Sequence, residues 1–514
     1  MLQRPLLVRA FAGLCGGVFA FGYAPHALIL PACFALGVWA GLLFLARRRR
    51  DAFWIGYCFG LGQFALNFSW IANAFAVREG FSYVQGVVSV MGLALVMALY
   101  LGFAALLTHA LSRRGSGGVA FALALAMAWT LAEVARGFIL TGFPWNPVGA
   151  LWATVLPMAQ FASVAGVFGL SLVTMLMVGL VGASLTGSMP PRGRILTALL
   201  AGSVFLGLWS FGAWRIPQGP SAVQGGIELV LVQANIAQKD KWDRGLLESH
   251  LRNHIELSQS ATVSPDARKI VIWPETAYPY LIDTSPASQR ELQRQLGEET
   301  TLFFGANRLV GQRGQETARN ALFVLRGGAL VARYDKSHLV PFGEYVPYGG
   351  LLKQLGVGTL VDALAGFVPG PGPTILEIDG LPLVAPLICY EGIFPSMVTA
   401  LEVRPDWILN ISNDAWFGAS AGPYQHMNLA LMRAIEHGAA LVRSTGTGIS
   451  AVFDPYGRMI ASLELDEKDA LVSKLPKPLL KVPLFSITKG MSVTYFSCIF
   501  MLSFAVARLY EGAV

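Results

Sequence analysis

"LPLVAPLICYEGIFP", residues 381–395, is an apolar run that stops at Cys389, with Tyr390 and Glu391 directly behind it. A short continuous apolar run bounded by turn residues reads as a strand buried on both faces. The same pattern recurs at 227–236 ("IELVLVQANI"), 269–275 ("KIVIWPE"), 301–309 ("TLFFGANRL") and 406–416 ("DWILNISNDAW"). "NALFVLRGGALVARYDK", 320–336, reads as two strands around a Gly-Gly turn, a hairpin. Helical patterns lie between, at 244–261 and 288–299. Residues 227–485 are therefore expected to form a layered α/β domain with polar residues at its strand ends, where sites are commonly built.

The rest of the chain reads differently. Of 514 residues 54% are hydrophobic and only 13% charged, and the mean hydropathy is +0.54. Soluble domains carry roughly twice that charged fraction, about 25%. Residues 1–214 hold about seven apolar runs long enough to span a bilayer. They lie at 6–23, 27–46, 52–75, 85–111, 118–136, 163–186 and 194–214, and another follows at 488–510. The expected organisation is a membrane domain at 1–214, an α/β domain at 227–485 and a last span at 488–510.

Charge sets the orientation. Arg4 and Arg9, Arg47 to Arg50, Arg113 with Arg114, and Arg192 with Arg194 mark every second connection. Basic loops stay in the cytoplasm, so both termini are expected there and the α/β domain on the far side. Residues 1–22 also resemble a signal peptide, although Arg9 interrupts it and favours a retained first span. The net charge of +7 belongs to these loop clusters, which argues against nucleic-acid binding. Four of the five cysteines, Cys15, Cys33, Cys58 and Cys498, lie in apolar runs as small hydrophobes. Cys389 thus has no disulfide partner within the α/β part. No histidine or cysteine spacing suits a metal, so neither a metal nor another cofactor is expected.

Three residues at strand ends or in loops carry possible chemistry: Glu275, Lys336 and Cys389. Each has a plain alternative, as helix cap, solvated charge and core thiol respectively. Together they have a logic. A carboxylate takes the thiol proton, a thiolate attacks, and an ammonium steadies both the thiolate and an oxyanion. That chemistry is acyl transfer through a thioester.

The order Glu, Lys, Cys in "WPETAYP", "DKSHLVPFGEYVP" and "LICYEGIFP", followed by "ILNISNDAWFG", resembles the nitrilase superfamily. Set between membrane spans, the chain resembles the bacterial apolipoprotein N-acyltransferases of that superfamily. The resemblance implies an α-β-β-α sandwich with base Glu275, lysine Lys336 and nucleophile Cys389. It further implies supporting roles for Glu344, Tyr390 and Glu391 and, on shorter matches, for Trp242, Asn320 and Trp145. Glu344 would keep Lys336 charged, and the Tyr390 N–H could join an oxyanion hole. Glu391 either acts on an incoming amine or orients a loop. Trp145 is either part of the site or an interfacial anchor.

The family's partners would be a phospholipid acyl donor, a diacylglyceryl apolipoprotein acceptor and the bilayer of the bacterial inner membrane. The chain would act as a monomer with its catalytic domain in the periplasm. The nearest alternative is a membrane-tethered amidohydrolase that uses water as acceptor. An apolar, Gly-rich insertion at 348–373 reads as a lid that touches lipid through Leu351, Leu352, Leu355, Leu360 and Phe367. "GFILTGFPWNPVGALWATVLPMAQFA", 137–162, reads as a re-entrant or interfacial segment on the outer face.

Overall fold

The computed structural model describes residues 4–491, except 79, 113–116, 313–314, 353 and 355–365, together with 497 and 504. It divides into two compact units, Met1–Pro217 with Ser420–Met432 and Pro483–Val514, and Gln218–Ala419 with Arg433–Val482.

The first unit is helical. Among the described residues, four helices are long and apolar enough to cross a membrane: Tyr83–Leu111, Gly118–Thr141, Ala162–Ser184 and Pro191–Arg215. Pro5–Ala20 and Ile29–Phe44 are shorter apolar helices, and Arg49–Asn67 follows them. Glycine lets these helices approach closely. A Cβ on Gly16 would lie 1.9 Å from the Phe59 carbonyl oxygen, and one on Gly62 would lie 2.0 Å from that of Gly13. Small residues at helix contacts are how membrane helices pack without a hydrophobic driving force. Large apolar side chains such as Val84, Val88, Leu199 and Leu206 stay exposed, as a lipid solvent requires. The last expected span lies almost wholly outside the described residues.

Residues 139–161 of this unit form short turns, 3-10 and α-helical, rather than one long helix. Non-helical backbone at membrane depth must find internal partners, and here buried side chains supply them. Arg136 donates to the carbonyls of Phe143 (3.0 Å) and Trp145 (2.7 Å), and Tyr23 donates to that of Asn146 (3.0 Å). A Glu133 oxygen accepts from the Val148 N–H at 2.7 Å, and Ser171 accepts from that of Gly149 at 2.8 Å.

The second unit is built on two sheets. One has the order β11-β1-β2-β3-β4-β5, from Asp469–Pro476, Val223–Gln233, Arg268–Ile272, Thr301–Val310, Thr317–Arg326 and Ala329–Asp335. The other has the order β10-β9-β8-β7-β6, from Met459–Leu463, Ser450–Phe453, Ala440–Thr445, Trp407–Ser412 and Val384–Ile388. Strand alternation divides the core in two. Leu229, Leu231, Ile270 and Ile272 share a cluster with Ile388, Leu409, Ile411 and Val442 of the other sheet. Val230, Val232 and Val271 turn the other way, with Leu292 and Leu296 of the helix Pro286–Leu296 and Leu251 of the helix Leu247–Ser260. The expected hairpin closes on Gly327 and Gly328, both at positive φ (59° and 75°), which a two-residue turn of this kind requires.

Candidate active site

β2 runs parallel to β1 and β3, and β6 runs parallel to β7, so the carboxyl ends of these strands align within each sheet. Glu275 follows β2 after Trp273 and Pro274. Its turn presses on β3: a Cβ on Gly305 would sit 2.4 Å from the Thr276 nitrogen and 2.6 Å from the Glu275 Cα. Only glycine allows this approach. The Gly305 N–H also donates to the Pro274 carbonyl at 3.1 Å, which fixes the turn.

Lys336 is the first residue after β5, and its N–H donates to the Asn320 carbonyl of β4 at 2.9 Å. Its side chain is 1% exposed, with Nζ 2.8 Å from Glu344 Oε1 and 3.3 Å from Glu275 Oε1. Asn320 Nδ2 donates to the same two oxygens, at 2.6 Å to Glu275 and 3.3 Å to Glu344. Glu344 Oε2 takes the Val340 N–H (2.7 Å), and Glu275 Oε2 takes that of Asn413 (2.7 Å). Burial alone would lower the Lys336 ammonium, but Glu275, Glu344 and Cys389 outweigh it and hold it well above its ordinary value. Burial alone would raise the Glu275 carboxyl, but Lys336 and Lys241, with Asn320 and Asn413, keep it below the usual carboxylate value.

Cys389 begins the turn Cys389–Ile393 directly after β6 and is buried. Its φ is +53°, a left-handed conformation that costs a residue with a Cβ about 1 kcal/mol or more. Burial, then the charge of Glu275, push its thiol up to about 12 against the pull of Lys336. The thiol is therefore protonated at rest, and a base must act as it reacts.

The Tyr390 ring lies 5.0 Å from that of Phe394, edge-on, and the His338 ring stacks at 4.0 Å on Phe394. Glu391 is fully buried and accepts five hydrogen bonds. Its Oε1 accepts from Tyr334 Oη (2.8 Å), the N–H groups of Ser337 (2.8 Å) and His338 (3.0 Å), and Ser337 Oγ (3.0 Å). Its Oε2 accepts from the Ile388 N–H at 2.8 Å. These bonds tie the loop after Lys336 to the strand before Cys389.

The structure thus brings Glu275, Lys336, Glu344 and Asn320 into direct contact, with Cys389 in their electrostatic field. Trp242 is 48% exposed and lines a cleft with Lys241, Glu275, Thr276 and Asn413. Trp145 lies in the helical unit, buried, with its indole donating to Gln425 at 2.8 Å and its ring 4.4 Å from that of Trp70. Of the lid residues, Leu355 and Leu360 lie outside the described residues. Leu351 and Leu352 fall in the short helix Gly349–Leu352. Phe367 donates its N–H to the Glu344 carbonyl at 3.1 Å, which ties the far end of the insertion to the site.

Sequence reasoning missed several groups. Lys241 donates from Nζ to the Glu275 carbonyl at 3.1 Å. Asp414 accepts from Arg443 at 2.7 Å, in an ion pair with no solvent exposure, and from Ser412 at 2.8 Å. Arg443 also donates to Asn410, whose amide reaches the Cys389 carbonyl at 3.4 Å. The lysine beside Trp242 and the polar end of "ILNISNDAWFG" were the available signals.

Residues 15–180 match a family model described as the apolipoprotein N-acyltransferase N-terminal domain, and residues 229–481 match one described as carbon-nitrogen hydrolase. An apolipoprotein N-acyltransferase of Rhodopseudomonas palustris is 35% identical over 463 residues, covering 88% of this chain and 85% of that protein. Its counterpart in Bradyrhizobium diazoefficiens is 40% identical over 364 residues, covering 69% and 67%. One from Caulobacter vibrioides is 36% identical over 502 residues, covering 92% and 90%. Among solved structures, an amidase from Nesterenkonia sp. AN1 in complex with butyramide is 21% identical, covering 49% of this chain and 93% of that one, with a TM-score of 0.34.

Proposed function

The chain belongs to the apolipoprotein N-acyltransferase family, and from that premise we propose how its residues move an acyl chain from a phospholipid to the α-amine of a diacylglyceryl-cysteine. One observation carries the reading: two carboxylates share one buried ammonium, and Cys389 stands at positive φ at the adjoining strand end. Glu275 takes the thiol proton as Cys389 attacks the ester, since a thiol near 12 yields almost no thiolate unaided. Lys336 and the Tyr390 N–H hold the oxyanion. The proton passes from Glu275 to the departing lysophospholipid, and the acyl chain remains on sulfur as a thioester. The acceptor amine then attacks, its proton returns by way of Glu275 to the sulfur, and an amide leaves.

The helical unit makes the chain a membrane protein, and its lipid and lipoprotein substrates explain why. Drawing an acyl chain into water would cost about 0.8 kcal/mol per CH₂, so a site held at the bilayer face avoids that cost. The basic connections support a periplasmic catalytic unit with both termini in the cytoplasm of an inner-membrane protein. We read the chain as acting as a monomer. We assign membrane-domain, catalytic-domain and last-span roles to residues 1–214, 227–485 and 488–510 respectively.

The test uses phospholipid labelled in its acyl chain and a synthetic diacylglyceryl lipopeptide. Label appearing as amide on the lipopeptide supports the reading. Label appearing as free fatty acid at the same rate with and without lipopeptide would make the chain a hydrolase.

A further inference from the structure

The two steps of this chemistry place opposite demands on charge. Acylation needs Glu275 ionised to take a thiol proton. Transfer needs an uncharged amine, yet an α-amine has an ordinary pKa of about 8 and is about nine-tenths ammonium at pH 7. A buried carboxylate next to the thioester would attract that ammonium and hold it in its unreactive form.

Lys241 changes this balance. Its Nζ donates to the Glu275 carbonyl at 3.1 Å and lines the cleft that Trp242, Thr276 and Asn413 share with Glu275. With its oxygen turned toward the donors, the Asn413 amide accepts from Lys241 Nζ and Trp416 Nε1, each at 3.3 Å. Around Lys241 stand Glu275 and Cys389, Asp240 next in the chain, and His250 and His254 on the helix Leu247–Ser260. His254 is held down near 4 by burial and stays neutral, and burial also lowers His250. Once Cys389 is a thioester it carries no charge. The charged groups at the site are then the carboxylates of Glu275, Glu344 and Asp414 and the cations of Lys336, Lys241 and Arg443, which balance.

We propose that Lys241 makes the acceptor's α-amine enter the cleft uncharged, by supplying beforehand the positive charge that offsets Glu275 there. This inference rests on the acyltransferase reading above and assigns Lys241 to its second step. An arriving ammonium would leave an uncompensated positive charge in a poorly solvated cleft, so it sheds its proton to solvent on binding. Two like charges at such a site depress one titration by roughly one to two pH units. The neutral amine then attacks the thioester carbon. The N–C bond forms, the C–S bond breaks, and the amine's proton travels through Glu275 to the Cys389 sulfur. In the unacylated protein burial lowers the Lys241 ammonium to about 8, against the upward pull of Glu275 and then Cys389.

The experiment uses the full chain in phospholipid nanodiscs, with the Cys389 adduct measured by intact mass and then chased with a diacylglyceryl lipopeptide between about pH 6 and about pH 10. Lys241→Met is expected to form the adduct but to discharge it about tenfold or more slowly at pH 7, recovering toward wild type above about pH 9 as the free amine becomes neutral. Lys241→Arg keeps a cation that never titrates, and should discharge at close to the wild-type rate at neutral pH. Wild-type discharge by Lys241→Met at every pH would overturn the proposal. So would a slowing that is the same at every pH and shared by Lys241→Arg, or a Lys241→Met protein that never forms the adduct. A wild-type protein that forms no adduct would overturn the acyltransferase reading instead.

Discussion

Glu275 and Glu391 are both carboxylates of the α/β unit, both buried and both close to Lys336, yet they face different surroundings. The Glu275 carboxylate meets one ammonium, that of Lys336, with an amide and one backbone N–H. A second ammonium, that of Lys241, donates to the main-chain carbonyl of the same residue. Glu391 meets two hydroxyls and three backbone N–H groups, and none of its direct partners is a cation. A carboxylate with mobile protons and cations at hand is a base. One held by five fixed donors on both of its oxygens is a fastener. Of the two roles left open for Glu391, its surroundings favour orienting a loop over acting on an amine.

Substitutions can break or sharpen that contrast. The largest effect is expected at Glu275→Gln, which should slow acyl transfer by about 10³-fold, within the usual range for a lost general base. The same change removes a negative charge that raises the Cys389 thiol. Alkylation of Cys389 by iodoacetamide should then become faster at a given pH while catalysis fails. In the parent protein that alkylation should keep rising with pH beyond about 10, where a free thiol of pKa about 8.5 has levelled off. A midpoint near 8.5 would refute the buried, protonated thiol.

Next is Gly305→Ala, which touches no substrate group. Its new methyl collides with the backbone of Thr276 and Glu275 and displaces the base. Turnover should fall about 10²-fold, as a misplacement of about 1 Å costs elsewhere, while the protein still folds. Unchanged turnover would show that the Glu275 turn is not held as described.

Glu391→Gln should cost less activity, about tenfold, because the loop and the strand end move before the chemistry does. Its principal effect is on stability. Turning one acceptor oxygen into an amide donor against the Ile388 N–H leaves buried groups unpaired, at about 1–3 kcal/mol, read as a lower melting temperature. Loss of all turnover in a protein of undiminished stability would return Glu391 to a chemical role. The smallest effect is expected for Tyr334→Phe, which removes a single donor to Glu391 at roughly 1 kcal/mol and changes turnover less than about threefold.

The same contrast explains what the sequence revealed. Strands, hairpin and helical unit were legible because continuous apolar runs, their length and Gly-Gly turns are local signals. Glu275, Lys336 and Cys389 were legible as a resemblance between motifs, each at the end of a strand or just beyond it. Lys241, Asp414, Arg443 and Gly305 were not, because their importance depends on neighbours far along the chain. Nothing at Gly305 says that residue 275 will press on it, and nothing at Lys241 says that a carbonyl 34 residues away will accept its hydrogen bond. Trp145 is the extreme case, since its indole partner Gln425 is 280 residues away. A short match marked Trp145, and its buried environment required coordinates.

The central claim is that Cys389 carries the acyl chain between donor and acceptor. The most direct measurement is the intact mass of the protein after incubation with phospholipid of a single acyl composition and no acceptor. The expected result is a gain equal to one acyl group in place of the thiol hydrogen, mapped to the peptide containing Cys389 and absent from Cys389→Ala. A folded, phospholipid-exposed protein that gains no mass, or gains it equally in Cys389→Ala, would contradict the account.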